Sequence, residues 1–382
     1  MQRSRPVRAL FFVEHFWPYI GGVETVTAQL LPLLAERGHE LVVVTDREDD
    51  SLAEYELFGR VPVRRLPFMR ALRERDLELL AQTRATMSEI VRGHRPDLIH
   101  AHVAGPGAYF LPGPEVAPMI VSLHNVWPTL ELGSGQALFA RVIGRAAWLT
   151  ACSEHTLASF LSAAPELGER SSVIHNGLDA TFEGEPPDPP AGPPVLLCSG
   201  RVVASKGMDV AIDAFAAVVR DHPDARLLIA GDGAERAALV ARADSLGLSE
   251  RVDLLGWVSP TRVHELVACA SLVVIPSRCE PFGLVALEAG LMARPVIATN
   301  VGGLPEVVED GVTGVLVEPD DAAATAHAIS RLLGDPVCAR AMGWAGRARM
   351  LERFTAGRHA DEWDALYARV GAGRDPHTGP GS

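Results

Sequence analysis

Lysine is almost absent from this chain of 382 residues: its 35 basic residues are 34 arginines and one lysine, Lys206. Most solvated positions accept either residue, whereas a lysine supplies a compact charge on a flexible stem that a planar guanidinium cannot replace. We therefore interpret Lys206 as a position that needs such a charge. The alternative is that one lysine survives by chance.

A long apolar run is also missing, since no stretch of the roughly 20 apolar residues that cross a bilayer occurs. The basic N-terminal segment is followed by only a short apolar stretch without a small-residue cleavage site, so we expect no secretory signal and a cytoplasmic protein. The 48 acidic residues outnumber the 35 basic ones, and the net charge of −13 has the wrong sign for nucleic-acid binding. An anionic ligand would therefore need a local positive site.

Cysteine pairs and acidic metal motifs are lacking as well. The five cysteines are odd in number and far apart, with no C-x-x-C pair, which excludes a disulfide framework and a zinc-ribbon pattern. The acidic run at 46–50 is interpreted as a solvated loop, and no convincing D-x-D motif occurs. We therefore predict that no metal and no other cofactor is required.

Short β-branched runs alternate with longer helical stretches, which is typical of βα units around a parallel sheet. The alternation occurs on both sides of residues 181–194, where six of 14 residues are proline and neither helix nor inner strand can form. We predict an α/β protein with two doubly wound, Rossmann-like domains, 1–180 and 195–354, facing each other across a cleft. A helix is expected at 355–370 and a flexible tail at 371–382.

The loops that follow the predicted strands are the candidates for chemistry, because ligands of such sheets bind at the carboxyl ends of the strands. Gly21 and Gly22 precede a helix whose first N–H groups favour a phosphate, although glycine also serves turn geometry alone. Arg201 and Lys206 follow the first strand of the second domain. Two such cations can stabilise the charge of a diphosphate leaving group, or they can be ordinary solvated residues.

The segment PSRCEPFGLVALEAG carries the most specific pattern. Glu280 precedes a predicted helix, Glu288 lies in its second turn, and Gly283, Leu284 and Val285 contribute the unsatisfied N–H groups of the helix start. Carboxylates accept hydrogen bonds from vicinal hydroxyls, and free N–H groups bind phosphate or sugar oxygens. A sugar nucleotide would satisfy both, whereas a helix cap and a solvated glutamate would explain the carboxylates without any ligand.

Taken together, these segments resemble the retaining glycosyltransferases of family 4, the glycosyl transferases group 1 family, which have the two-domain GT-B fold. The matching segments run in family order over nearly the whole chain: PYIGGVE, SLHN, HNGLD, SGRVVASKG, AGDG, LLGWV, PSRCEPFGLVALEAG and ATNVGGLPEVVEDGVTG. The resemblance implies transfer of a hexose-type sugar from a UDP- or GDP-sugar to an acceptor hydroxyl, with retention and therefore an α-glycosidic bond. It also implies that the final helix crosses back to the first domain.

The resemblance assigns roles to individual residues. Arg201 and Lys206 match the cations that bind the donor diphosphate, Glu280 the carboxylate near the donor sugar, and Glu288 the acceptor of the ribose hydroxyls. His124, at the end of the strand predicted at 119–123, matches the histidine beside the anomeric centre and the 6-hydroxyl, although a lone histidine is more often structural. The remaining expected donor-binding positions are Gly21, Gly22, Gly200, Val258 at the base, Gly283, Leu284 and Val285.

Two other readings stay open, a sugar-nucleotide epimerase of similar fold and a catalytically idle sugar-nucleotide-binding partner. The acceptor, whether a glycan, a lipid-linked molecule or a small molecule, is not identified by any motif. Residues 60–75 are rich in arginine and apolar side chains, so peripheral contact with an anionic membrane is one interpretation and a solvated loop the other.

Overall fold

The computed structural model describes residues 5–102, 105–125, 136–180, 185–188 and 191–371. It divides the chain into two compact units. Unit 1 consists of the chain up to Gly177 together with the segment from Ala356 onward, and unit 2 is Leu178–Thr355. Residues 181–184 and 189–190 of the predicted linker and 372–382 of the predicted tail lie outside the described residues.

Unit 1 is built on an eight-stranded sheet with the strand order β3-β4-β2-β1-β5-β6-β7-β8. Its strands are Arg8–Val13 (β1), Glu40–Asp46 (β2), Tyr55–Phe58 (β3), Val61–Leu66 (β4), Leu98–His102 (β5), Met119–Leu123 (β6), Trp148–Ala151 (β7) and Ser171–Val173 (β8). All neighbours pair in parallel except β3 and β4, which form an antiparallel edge. The helices are Gly22–Glu36 (α1), Phe68–Glu74 (α2), Leu77–His94 (α3), Gln136–Arg145 (α4), Glu154–Leu161 (α5) and the C-terminal helix Ala356–Gly371, named α13 below.

Both faces of this sheet are covered, because side chains of successive strand residues point to opposite faces. Along β1, Leu10 and Phe12 pack in one buried cluster, while Phe11 and Val13 pack in another. The second cluster includes α1 and α13, with Tyr367 of α13 fully buried. The C-terminal helix is therefore an integral part of the core of unit 1.

Unit 2 is built on a six-stranded parallel sheet with the order β11-β10-β9-β12-β13-β14. Its strands are Val195–Ser199 (β9), Arg226–Ala230 (β10), Val252–Gly256 (β11), Leu272–Ile275 (β12), Val296–Thr299 (β13) and Gly314–Val317 (β14). The helices are Met208–Asp221 (α6), Arg236–Ser245 (α7), Pro260–Cys269 (α8), Leu284–Leu291 (α9), Leu304–Val307 (α10), Ala322–Gly334 (α11) and Pro336–Arg353 (α12).

The predicted fold class, α/β with two doubly wound parallel-sheet units, is confirmed by this topology. Thirteen of the 14 strands within the described residues coincide with strands predicted from the sequence, and the strand that was not predicted is β3. Its residues alternate between exposed and half-buried positions at the antiparallel edge of the sheet, so it has no continuous apolar run. Within the described residues, the helices are all too short or too polar to cross a bilayer.

Candidate functional site

The two loops that carry the main candidates of unit 2 are neighbours because β9 and β12 pair directly. The strand order runs outward in opposite directions from this pair, so it is the topological switch point of the sheet. Loops that leave the carboxyl ends of the strands at such a point form the usual ligand site of an open α/β sheet. Lys206 lies in the loop after β9, and Glu280 lies in the loop after β12.

Lys206 and Glu280 form an ion pair, with Lys206 Nζ 2.6 Å from Glu280 Oε2. The lysine side chain is 21% exposed and the glutamate side chain 11%, so the pair is largely shielded but open on one side. Ser277 is buried and its hydroxyl donates to the same oxygen at 3.4 Å. An ammonium group has three N–H donors, so Lys206 keeps donors for an anionic ligand.

Arg278 fastens the Lys206 loop to the Glu280 loop. Its backbone N–H donates to Ser205 O at 2.8 Å, and its guanidinium donates to Ala204 O at 2.7 Å. The guanidinium also donates to both carboxylate oxygens of Asp209, at 2.9 and 2.7 Å, and to Asp320 at 2.6 Å. Hydrogen bonding to Asp209 raises the pKa of Arg278. These contacts span the two residues before Lys206 and hold its backbone in place.

Two glycines allow the backbone segments around this pair to approach each other. Gly207 (φ +62°) and Gly302 (φ +58°) both adopt left-handed conformations. A Cβ on Gly207 would overlap the carbonyl oxygen of Pro276, and one on Gly302 would overlap that of Glu280. Since the N–H of Gly303 also donates to Glu280 O at 2.9 Å, the backbone of Glu280 is fixed from the β13 side as well.

The start of α9 lies three residues after Glu280 in sequence and carries free backbone donors. Gly283 is the N-cap residue and supplies no side-chain cap, and Leu284 and Val285 are the first two helical residues. Backbone N–H groups at these positions have no acceptor within the helix and carry the positive end of its dipole.

Glu288 lies in the second turn of α9, between the buried residues Leu287 and Ala289. The residue is half-buried, and its carboxyl group has no hydrogen-bond or ion-pair partner among the described residues. Burial raises the pKa of Glu288 from its ordinary value to about 7. A shielded carboxyl without a partner is costly to the fold, and costs of this kind concentrate at functional sites.

The other predicted positions of unit 2 lie around this centre without direct contact to the ion pair. Gly200 follows β9 and its N–H donates to Ala230 O at 3.0 Å. The exposed Arg201 comes next, and its guanidinium has no partner in the described part of the chain. Val258 follows β11, two strands away from β9, and is half-buried beside Trp257, whose exposure is 64%.

His124 follows β6 in unit 1 and is paired with a second histidine. The distance between His102 Nδ1 and His124 Nε2 is 2.8 Å. Burial lowers the pKa of His124 to about 4 and that of His102 well below its ordinary value, so both rings are neutral at neutral pH.

Gly21 is the N-cap residue of α1 and Gly22 its first residue, and neither has a described contact with His124. Further along α1, Val26 lines a cavity of about 10 Å³ together with His102 and His124. The structure therefore places this helix, although not its two glycines, beside the histidine pair.

Three residues that contact the candidates or the segments beside them carried no weight in the sequence: Ser277, Arg278 and His102. Ser277 and Arg278 lie inside the PSRCEPFG segment, but neither shows from the sequence which groups it binds. His102 had one available signal, since His100 and His102 alternate at the end of a strand and therefore share a face.

Several apolar residues of the arginine-rich segment 60–75 face the core. Leu66, Phe68 and Ala71 are buried in unit 1. Arg65 is also buried and donates to Glu56 at 2.6 Å. Arg60, Arg73 and Arg75 are the most exposed arginines of this segment.

Solved structures share the fold of this chain. The chain superposes on sucrose-phosphate synthase from Thermosynechococcus elongatus with a TM-score of 0.81 at 24% identity, covering 97% of this chain and 100% of that one. It superposes on Anabaena HepE, solved in complex with UDP-glucose, with a TM-score of 0.77 at 22% identity, over 95% and 100% of the two chains. The fold is therefore that of the GT-B glycosyltransferases.

Two family models match adjacent parts of the sequence: Glycosyltransferase Family 4 over residues 20–182 and Glycosyl transferases group 1 over residues 180–349. The glycogen synthase of Mycobacterium tuberculosis is 34% identical over 276 residues, which cover 69% of this chain and 66% of that protein, slightly less than two thirds of its length. The chain belongs to glycosyltransferase family 4.

Proposed function

We propose that this protein is a retaining glycosyltransferase that moves a hexose-type sugar from a nucleotide-diphosphate sugar to an acceptor hydroxyl and forms an α-glycosidic bond. The observation that carries the proposal is the Lys206–Glu280 ion pair at the switch point of unit 2, beside the free N–H groups of α9 and the unpartnered carboxyl of Glu288. Cations, free donors and a carboxyl at one sheet edge suit the diphosphate and the hydroxyls of such a donor.

The diphosphate would bind to Lys206, Arg201 and the α9 terminus. Negative charge accumulates on the diphosphate as its bond to the sugar breaks, so fixed positive groups stabilise the transition state more than the ground state. Lys206 is held by Glu280 and by the Arg278-braced loop, and therefore needs little reorganisation when that charge develops. Arg201 is exposed and would order on binding.

Glu280 and Glu288 would bind hydroxyls of the donor. Both described contacts of the Glu280 carboxylate use Oε2, which leaves Oε1 as an acceptor for the sugar. Glu288 would accept from the ribose, whose hydroxyl donors would give its carboxyl the partners it otherwise lacks.

For the first unit, the family resemblance supports a role for His124 beside the anomeric carbon and the 6-hydroxyl of the donor. Gly21 and Gly22 would add main-chain contacts to the phosphate side, and Val258 would contact the base. Gly200, whose N–H is already bonded to Ala230 O, would line the donor site without donating from its main chain. Retention would follow from front-face attack, in which a leaving phosphate oxygen takes the proton of the acceptor hydroxyl. No step of this scheme requires a metal ion or another cofactor.

UDP is the first nucleotide to test, because HepE, which shares the fold, was solved with UDP-glucose. The experiment is thermal unfolding with UDP, GDP, ADP and dTDP, each in EDTA. A ligand at about 100 times its dissociation constant adds about 2.7 kcal/mol, or roughly 5–10 °C for a unit of this size. We expect one nucleotide to give this shift, and Lys206→Ala to remove it.

Arg220→Ala, which changes an exposed residue of α6, is the matched control and should keep the shift. If none of the four nucleotides stabilises the protein, with or without Mg²⁺, the proposal fails. Assays of nucleotide release separate the transferase from the two alternatives. A transferase releases nucleotide, an epimerase changes the sugar without releasing nucleotide, and an idle binding protein does neither.

A further inference from the structure

We infer that His102 is a positioning residue for His124: its Nδ1–H donates to His124 Nε2 and holds His124 in the tautomer that carries its proton on Nδ1. His124 then faces its ligand as a hydrogen-bond donor, suited to a hydroxyl or ring oxygen of a sugar. This inference deepens the role proposed for His124 and rests on it for its catalytic consequence.

The sheet itself brings the two rings together. β5 and β6 pair in parallel with His102 opposite Ser122. His124 comes two residues after Ser122, so it projects from the same face and is the diagonal neighbour of His102. The two ring planes differ by only 11°.

The hydrogen bond lies close to the planes of both rings. The ring centroids of His102 and His124 are 5.0 Å apart, and His102 Nδ1 lies 2.8 Å from His124 Nε2. The difference between these two distances is about the sum of the two ring radii. The two nitrogens therefore lie near the line that joins the centroids, where the in-plane N–H and lone pair of two imidazoles meet. Since both rings are neutral, this contact contains one proton, and one histidine must donate.

The surroundings of His102 decide which ring donates. His102 is 5% exposed, and its Nε2 has no hydrogen-bond partner in the described part of the chain. If His124 donated, His102 would carry its own proton on Nε2, leaving a buried N–H without an acceptor. If His102 donates from Nδ1, only a lone pair is left unpaired. Orphaned buried N–H groups are the rarer case in proteins, so donation by His102 is favoured.

His102 is also held in a fixed orientation. Its ring lies 4.3 Å from that of His100 and 5.8 Å from that of Phe11. His100 is anchored in turn by Tyr367 Oη at 2.7 Å and Ser122 Oγ at 2.8 Å. A ring packed in this way cannot rotate to exchange its two nitrogens without disturbing its neighbours.

His359, another histidine of unit 1, also has its tautomer fixed by a direct hydrogen bond from a neighbouring side chain. Trp363 Nε1, which can only donate, lies 3.1 Å from His359 Nε2, so that nitrogen accepts. The proton of His359 is therefore on Nδ1, which donates to His175 O at 2.7 Å.

The test is NMR of the full chain labelled with ¹⁵N-histidine, recorded without any nucleotide or sugar. Long-range proton–nitrogen correlations show which ring nitrogen carries the proton, and the His124 signals are assigned by their loss in His124→Gln. We expect wild-type His124 to be protonated on Nδ1. His102→Leu removes the donor and should shift His124 toward the Nε2–H tautomer. His102→Asn places an amide N–H near the position of Nδ1 and should restore the wild-type spectrum.

A wild-type His124 protonated on Nε2, or a tautomer unchanged in His102→Leu, would overturn the inference. With an active donor, His102→Leu should lower kcat by about tenfold or more with little change in the donor KM, and His102→Asn should recover most of the loss. A purely structural role would leave the tautomer unchanged. If no nucleotide sugar is turned over, the proposed function fails, while the NMR result still decides this inference.

Discussion

Replacing Glu288 with glutamine should make the ligand-free protein more stable at alkaline pH while weakening its binding of nucleotide. Glu288 is a half-buried residue of α9 whose carboxyl has no described partner, and burial raises the pKa of that carboxyl to about 7 from an ordinary value of 4.5. The folded state therefore binds the Glu288 proton more tightly than the unfolded chain does. Stability from this group is full below pH 4.5 and falls as the pH rises through about 7.

The size of the effect follows from the difference between the two pKa values. A difference of about 2.5 units corresponds to roughly 3.4 kcal/mol at about 1.36 kcal/mol per unit. Because Glu288 is half-buried and water screens part of its charge, we expect about 2 kcal/mol at pH 8 and less than about 1 kcal/mol at pH 5. Glutamine has nearly the same shape and no charge, so it removes this cost.

Scanning calorimetry of wild type and Glu288→Gln at pH 5 and pH 8 measures the effect directly. About 2 kcal/mol corresponds to an increase in Tm of roughly 4–8 °C at pH 8 for a unit of this size. Glu250→Gln changes an exposed glutamate of the same unit and should give no such difference. Equal Tm differences at the two pH values would refute the view that Glu288 is a shielded, uncompensated carboxyl.

Three further predictions concern the rate of turnover. Arg278→Ala removes the hydrogen bonds to Ala204 and Asp209 and should therefore loosen the Lys206 loop. We expect kcat, measured by nucleotide release, to fall by about tenfold. An unchanged kcat would contradict the bracing role of Arg278. Glu280→Gln keeps the size of the side chain but weakens the contact with Lys206, and we expect kcat to fall by about 100-fold or more, with a smaller change in the KM of the donor. Turnover should persist in excess EDTA, and loss of turnover that Mg²⁺ alone restores would show that a metal is required.

The fold could be predicted almost completely because parallel strands buried on both faces appear as continuous apolar runs. The strand β3 shows the limit, since a half-exposed edge strand has no such run and is stabilised by pairing with β4. The prediction of two domains rests on the proline-rich segment 181–194, which interrupts the alternation of strands and helices. The structure begins unit 2 at Leu178, so that segment falls within unit 2.

The sequence predicts which residues belong to the candidate site, but it does not predict which of them contact each other. Lys206 and Glu280 are 74 residues apart in sequence, and their contact depends on the pairing of β9 with β12. The bracing by Arg278 depends on the same pairing. His102 carried no weight in the sequence because its contact with His124 depends on the register of β5 and β6.

The central claim is sugar transfer from a nucleotide donor with retention, and proton NMR of a single reaction tests it most directly. The protein is incubated with UDP-glucose, GDP-glucose or ADP-glucose and candidate acceptors in EDTA, while the anomeric proton of the product and the released nucleotide are followed. We predict nucleotide release from one donor and an α-anomeric product from the earliest time points. A β-anomeric first product would contradict retention, and the absence of nucleotide release from every donor would contradict the transferase assignment itself.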